Sequence, residues 1–144
     1  MGQAMTRQRY LLDTCICAYW LRDKKNIRER INAVGFDRCC ISEITIAELK
    51  FGKAYGQLKG GPKYREQPLQ EFFEAIKVIP IATSFDLYAA EKARLALAGT
   101  PTGEFDLLIG CTAVAKKMVL VTENVKDFLN IKDIKIENWV KDCK

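Results

Sequence analysis

Short apolar runs, each too brief for a buried helix, alternate along this chain with longer stretches of helical periodicity, and that alternation constrains the fold more than any other feature. The runs are Tyr10-Leu11-Leu12, Cys39-Cys40-Ile41, Val78-Ile79-Pro80-Ile81, Met118-Val119-Leu120-Val121 and Ile134-Lys135-Ile136. Continuous apolar strands belong in a sheet covered on both faces, and helices between consecutive strands are the crossovers that a parallel sheet needs. The expected fold is an α/β domain with a central, mostly parallel, twisted sheet of about five strands flanked by helices.

Helical patterns occupy residues 14–22, 26–34, 43–55 and 64–75, then a stretch from a Ser84 cap to Gly99, residues 105–117, and a brief turn at 125–129. Asp13 or Thr14 is a suitable cap for the first helix, Gly35 stops the second, and Gly56 is expected to end the third. Residues 57–62, with Gly60-Gly61-Pro62, form the clearest loop, so the helices on either side of it make a helical hairpin. Pro80 is tolerable only near the end of its strand. Trp139 is expected to seal the core. The domain spans residues 10–140, with residues 1–9 as an N-terminal extension and 141–144 as a tail.

A chain of 144 residues with 49% apolar side chains can bury one real core without covalent staples. Six cysteines, no histidine and no C-x-x-C pair predict reduced, mostly buried thiols rather than disulfides or zinc. No run approaches the ~18 apolar residues of a membrane span, and residues 1–9 lack the apolar core of a signal peptide, so a cytoplasmic protein is expected. The formal charge of +5 permits a polyanionic partner without requiring one.

The chemistry lies where the runs stop. Asp13 follows the first strand, Glu48 lies in the helix after the second, Asp106 opens a helix, and Asn124 and Asp127 follow the fourth strand. In open α/β sheets ligands gather outside the carboxyl ends of the strands. Each residue alone has a plainer explanation: Asp13 and Asn124 as caps, Glu48 as the end of a Thr45-x-x-Glu48 capping box, Asp106 and Glu104 as ordinary acids of a first turn. Together they place several acids at one sheet edge. Carboxylates about 4–5 Å apart in a cleft repel by roughly several kcal/mol per pair unless a cation neutralises them, and hard oxygen ligands select magnesium or manganese. Such an ion can activate water and stabilise the charge that develops on an attacked phosphodiester. The absence of histidine removes the commonest general acid/base side chain from a metal-free mechanism.

The ordered blocks Leu11-Leu12-Asp13-Thr14, Ile41-Ser42-Glu43-Ile44-Thr45-Ile46-Ala47-Glu48-Leu49, Phe105-Asp106-Leu107-Leu108-Ile109-Gly110-Cys111-Thr112-Ala113 and Val121-Thr122-Glu123-Asn124-Val125-Lys126-Asp127-Phe128 resemble a PIN domain. More narrowly they resemble the VapC toxins of type II toxin–antitoxin pairs. The resemblance implies a Mg2+- or Mn2+-dependent endoribonuclease that leaves a 5′-phosphate and a 3′-hydroxyl, with Asp13, Glu48 and Asp106 as the acidic triad and metal ligands. Asn124 stands where many relatives carry a fourth acid. Thr122 and Asn124 are expected to support catalysis, with Thr14, Asp127 and Glu104 in a supporting shell. The resemblance further implies an RNA substrate, a homodimer, and an antitoxin partner through which alone DNA would be met.

Lys50, Lys53, Lys59 and Lys63 around the hairpin are candidate RNA-binding residues, with Tyr55 and Tyr64 as candidate stacking surfaces. Phe51, Tyr55, Phe72 and Phe73 offer apolar surface for a dimer. The competing reading is a non-catalytic PIN-like module that binds RNA or protein; the complete triad speaks against it. A receiver-like or dehalogenase-like phosphoryl enzyme lacks its second acid here, since Asp13-Thr14-Cys15 has no D-x-D pattern.

Overall fold

The computed structural model describes residues 7–61 and 64–140. The first strand, β1 (Tyr10–Leu12), turns at Asp13 directly into helix α1 (Thr14–Arg22), and α2 (Ile27–Val34) leads to β2 (Cys39–Ser42). A long helix α3 (Glu43–Lys59) and a shorter α4 (Glu66–Ala75) precede β3 (Lys77–Ile79). Helices α5 (Phe85–Ala98) and α6 (Glu104–Ala115) are followed by β4 (Val119–Val121), a 3-10 turn (Val125–Asp127) and β5 (Ile136–Glu137). The sheet order is β3-β2-β1-β4-β5, and all four pairings are parallel.

The order reverses at β1, which lies between β2 and β4, and this is where an open parallel sheet leaves a crevice outside its carboxyl ends. Pleating sorts the core into two clusters. Leu12, Cys39, Ile41 and Val121 face α1, α2 and α4, where Ile16, Ile27 and Trp139 complete the packing. Leu11, Cys40 and Leu120 face the opposite layer, built on Leu95, Leu107 and Phe128. Full burial of side chains of this size stabilises by roughly 1.5–3 kcal/mol each, enough for the sheet to hold its edge residues in fixed places.

Several boundaries differ from the sequence expectation. Helix α3 does not stop at Gly56, which is buried inside it, but continues to Gly60, whose φ of 121° is accessible to glycine and closes the helix. Residues 57–59 are therefore helical, and α4 begins at Glu66 rather than residue 64. Ile81 belongs to a 3-10 turn (Ile81–Ser84), not to β3, and Ser84 makes no capping bond to α5; its hydroxyl donates to the Ile81 carbonyl at 2.7 Å. The last strand is displaced to Ile136–Glu137. Residues 1–6 of the extension, Pro62, Lys63 and the tail 141–144 lie outside the described residues. Among the described residues no helix is long and apolar enough to cross a membrane, and five cysteines are free: Cys17, Cys39, Cys40 and Cys111 buried, Cys15 half-buried.

Candidate active site

Asp13 is placed by the backbone before its side chain does anything. Leu12 pairs with Val121, the Asp13 N–H donates to the Val121 carbonyl at 2.9 Å, and Thr122 thereby stands beside Asp13 at the sheet edge. The Thr122 hydroxyl donates to Asp13 Oδ2 at 2.8 Å and accepts the Asn124 N–H at 3.0 Å. On the other oxygen, Asp13 Oδ1 accepts the Thr14 N–H at 2.8 Å, so the acid does cap α1. Cys15 Sγ lies 3.8 Å from Oδ2. The carboxylate is almost wholly buried.

Glu48 reaches the same place from α3. Ser42 caps that helix, its Oγ accepting the Ile44 N–H at 3.0 Å; Thr45 lies inside the helix, so the expected capping box does not form. Thr45 is buried, with its hydroxyl 3.2 Å from Thr14 Oγ1, and Thr14 Oγ1 donates to Glu48 Oε1 at 2.5 Å. Asp106 arrives from the first turn of α6. It lines a cleft of about 450 Å³ together with Glu48, Gly103, Glu104 and Phe105.

The acids disturb one another. Burial raises Asp106 to about 6, with Asp13, Asp127 and Glu48 adding to the rise. Burial also raises Asp13; hydrogen bonds from Thr122, Thr14 and Cys15 pull it back, and Asp127 pushes it further up. Glu48 is raised by burial and by Asp13, against the Thr14 bond. Burial and like charge thus make each carboxylate easier to protonate than a free one, a cost that a bound cation would offset.

Asp127, expected in the supporting shell, adds its charge to this set. Asn124, expected at the fourth position, is exposed and contributes its backbone N–H to Thr122, while Asp127, three residues on and also exposed, adds negative charge that raises both Asp13 and Asp106. The Val125–Asp127 turn returns the chain so that an acid does follow β4.

Other expected residues are placed elsewhere. The Glu104 carboxylate accepts from Lys92 Nζ at 2.6 Å and from the Tyr88 hydroxyl at 2.7 Å, a surface lock between α5 and α6. Lys53 pairs with Glu66 and ties α3 to α4. Lys50 is exposed beside Lys53, Gln70 and Phe73, and Lys59 lies over the Tyr55 ring. Tyr64 is not a surface platform: it is buried, and its hydroxyl donates to the Leu49 carbonyl at 3.0 Å. Phe72 likewise belongs to the core, not to a free apolar face.

Among the described residues no group of three or more His, Cys, Asp or Glu side chains is placed to hold a metal ion together. The donor set still fits a hard cation, because magnesium binds through one or two carboxylates and fills its remaining positions with water and substrate phosphate. Asp13 and Asp106 could supply those direct contacts, with Glu48 on the facing helix.

The PIN domain family pattern matches residues 10–134. This chain belongs to the PIN domain family. Its PIN domain is 32% identical over 133 residues to the tRNA(fMet)-specific endonuclease VapC of Salmonella typhimurium, covering 91% of this chain and 98% of the relative. It is 34% identical over 135 residues to ribonuclease VapC1 of Haemophilus influenzae, covering 92% and 98%. Among solved structures, VapBC2 of Rickettsia felis bound to a promoter DNA fragment matches with a TM-score of 0.77 at 27% identity over 92% of this chain and 99% of that one. DNA-bound VapBC of Salmonella typhimurium matches with a TM-score of 0.77 at 32% identity over the same shares.

Proposed function

We propose that this PIN-domain chain is the ribonuclease toxin of a toxin–antitoxin pair, hydrolysing RNA phosphodiester bonds with the help of Mg2+ or Mn2+ and thereby arresting translation and growth. The observation that carries the reading is the placement of Asp13, Glu48 and Asp106 at one sheet edge, with Thr14 bonded to both Asp13 and Glu48, and Glu48 and Asp106 lining one cleft, joined to relatives named ribonucleases or endonucleases over nearly the whole chain.

A divalent cation would supply charge neutralisation and water activation at the scissile phosphate. The chain's own residues do the positioning. Asp13 and Asp106 would hold the cation, Thr122 fixes the Asp13 carboxylate, and Glu48, oriented by Thr14, would align the attacking water. Asp127 adds the fourth negative charge, and Asn124 orders the turn through its bond to Thr122. Lys50 and Lys59 offer charge to the RNA backbone. Domain limits of 10–140, a cytoplasmic location and a homodimer complete the reading, as does an antitoxin partner like those in the neighbouring VapBC structures, through which any contact with DNA is made.

The test is cleavage of a pool of structured RNAs by purified protein, beside Asp13→Asn and Asp106→Asn variants. Each substitution is expected to reduce the rate about 100-fold or more and to relieve growth arrest on expression. Unchanged cleavage by both folded variants would overturn the assignment.

A further inference from the structure

Beside Glu48 the surface carries an aromatic pair that the acid site does not use. Glu48, Phe51, Tyr55 and Lys59 follow one another along α3 at spacings of three and four residues, which places them on one helix face. Phe51 is 67% exposed and Tyr55 51% exposed, yet their rings are stacked, with centroids 5.7 Å apart and planes 20° from parallel. The Lys59 ammonium stands 5.2 Å from the Tyr55 ring centroid. These residues line a groove of about 630 Å³ whose wall also includes Thr14 and Glu48. Gly52 and Gly56 leave part of its lining without side chains. Glu48 also lines the cleft that holds Asp106, so the groove and the acid site share a wall.

We infer that Phe51 and Tyr55 form a stacking platform for an unpaired base of the RNA beside the scissile phosphate, with Lys59 holding the next phosphate. This rests on the nuclease reading and names the form of substrate it takes: a single-stranded or splayed segment. The complementarity is that of a nucleotide chain. A flat π-surface lies between a lysine at one end and the acid site at the other, which a bound cation would turn into a second phosphate anchor. Phe51 lies three residues from Glu48, about 4.5 Å along the helix axis, and Tyr55 about 10.5 Å. An apolar peptide helix would instead want a continuous apolar stripe, and here charged residues bracket the rings.

The experiment uses the full chain carrying Asp106→Asn, so that binding is read without cutting. The probe is a single-stranded RNA oligonucleotide with one 2-aminopurine, compared with the same oligonucleotide made abasic at that position. The expected result is stacking-induced quenching of the fluorophore, and weakening of its affinity by about 10- to 100-fold in Phe51→Ala, with Phe51→Trp retaining it and the abasic RNA indifferent to either change. In the otherwise unaltered protein, Phe51→Ala is expected to lower kcat/KM on RNA by a similar factor. Equal binding of both RNAs by Phe51→Ala and the parent overturns the platform, even if the protein cuts RNA. So does a Phe51→Ala variant with unmoved RNA binding but altered mass in light scattering or lost antitoxin binding, which would make the face a protein interface. Intact Phe51-dependent stacking with no cleavage by the parent upholds the platform and sinks only the nuclease reading.

Discussion

Asp13 owes its position to the sheet and its readiness to Thr122. The threonine hydroxyl is the strongest of the bonds that draw the buried carboxylate back towards the ionised state. Thr122→Val keeps the shape and removes that donor, so Asp13 should rise further and the acid limb of the pH–rate profile should move to higher pH. Activity at neutral pH is expected to fall about 10- to 100-fold, the usual effect of losing a partner that orients a ligand. A variant whose pH profile coincides with that of the parent would show that the bond has no part in tuning the acid. Asp13, Glu48 and Asp106 were legible in the sequence because each follows an element boundary that periodicity marks. Asn124 and Asp127 were both expected after β4, and the short 3-10 turn over Val125–Asp127 joins them.

The hairpin shows how one atom can set the geometry of two elements. Tyr64 reaches across Gly52 to bond the Leu49 carbonyl, and a Cβ at position 52 would collide with the tyrosine hydroxyl. Gly52→Ala should therefore destabilise by about 1–3 kcal/mol, as overpacking does, whereas Tyr64→Phe should cost about 1 kcal/mol for one hydrogen bond. The double variant should be less unstable than the sum, because the phenylalanine leaves room for the added methyl. Strict additivity in denaturant melts would contradict the contact. The sequence could not distinguish Gly56, buried in mid-helix, from Gly60, which ends it; only the positive φ at Gly60 separates them. Nor could periodicity tell that Tyr64 turns inward while Phe51 and Tyr55 stay out, since all three lie in or beside amphipathic helices.

A second lock joins α5 to the segment before β5. Glu91 accepts from Arg94 Nε at 2.8 Å and from the Lys132 N–H at 2.9 Å, and the Arg94 bond leads the causes that lower its pKa. A depressed carboxylate stabilises the fold above its ordinary value of 4.5, and that stabilisation is lost as pH falls through the folded value. Glu91→Gln should cost about 1–3 kcal/mol at neutral pH, and the gap from the parent should close in strong acid. A gap constant with pH would show that charge at Glu91 is irrelevant.

At the scale of the whole molecule, the parallel sheet gathers acids that the fold would be better without. The order β3-β2-β1-β4-β5 was not readable from the chain, because periodicity names strands but not neighbours; the presence of an α/β sheet was. Its consequence is a stability deficit at the site itself. Asp106 titrates at about 6 in the folded protein against an ordinary 3.8, so the folded state binds more protons across that window and stability falls as pH rises through it. The most direct measurement of the central claim is thermal unfolding of the parent and Asp106→Asn at pH 7.5, in chelator and in about 10 mM Mg2+. In chelator the variant should be the more stable by about 1–2 kcal/mol, allowing for solvent screening at a half-buried site, and the difference should vanish below pH 4. Mg2+ should then raise the parent by about 1 kcal/mol and leave the variant nearly unmoved. Equal response of both proteins to Mg2+, or a variant less stable than the parent in chelator, would contradict the claim that these carboxylates are gathered to hold a cation.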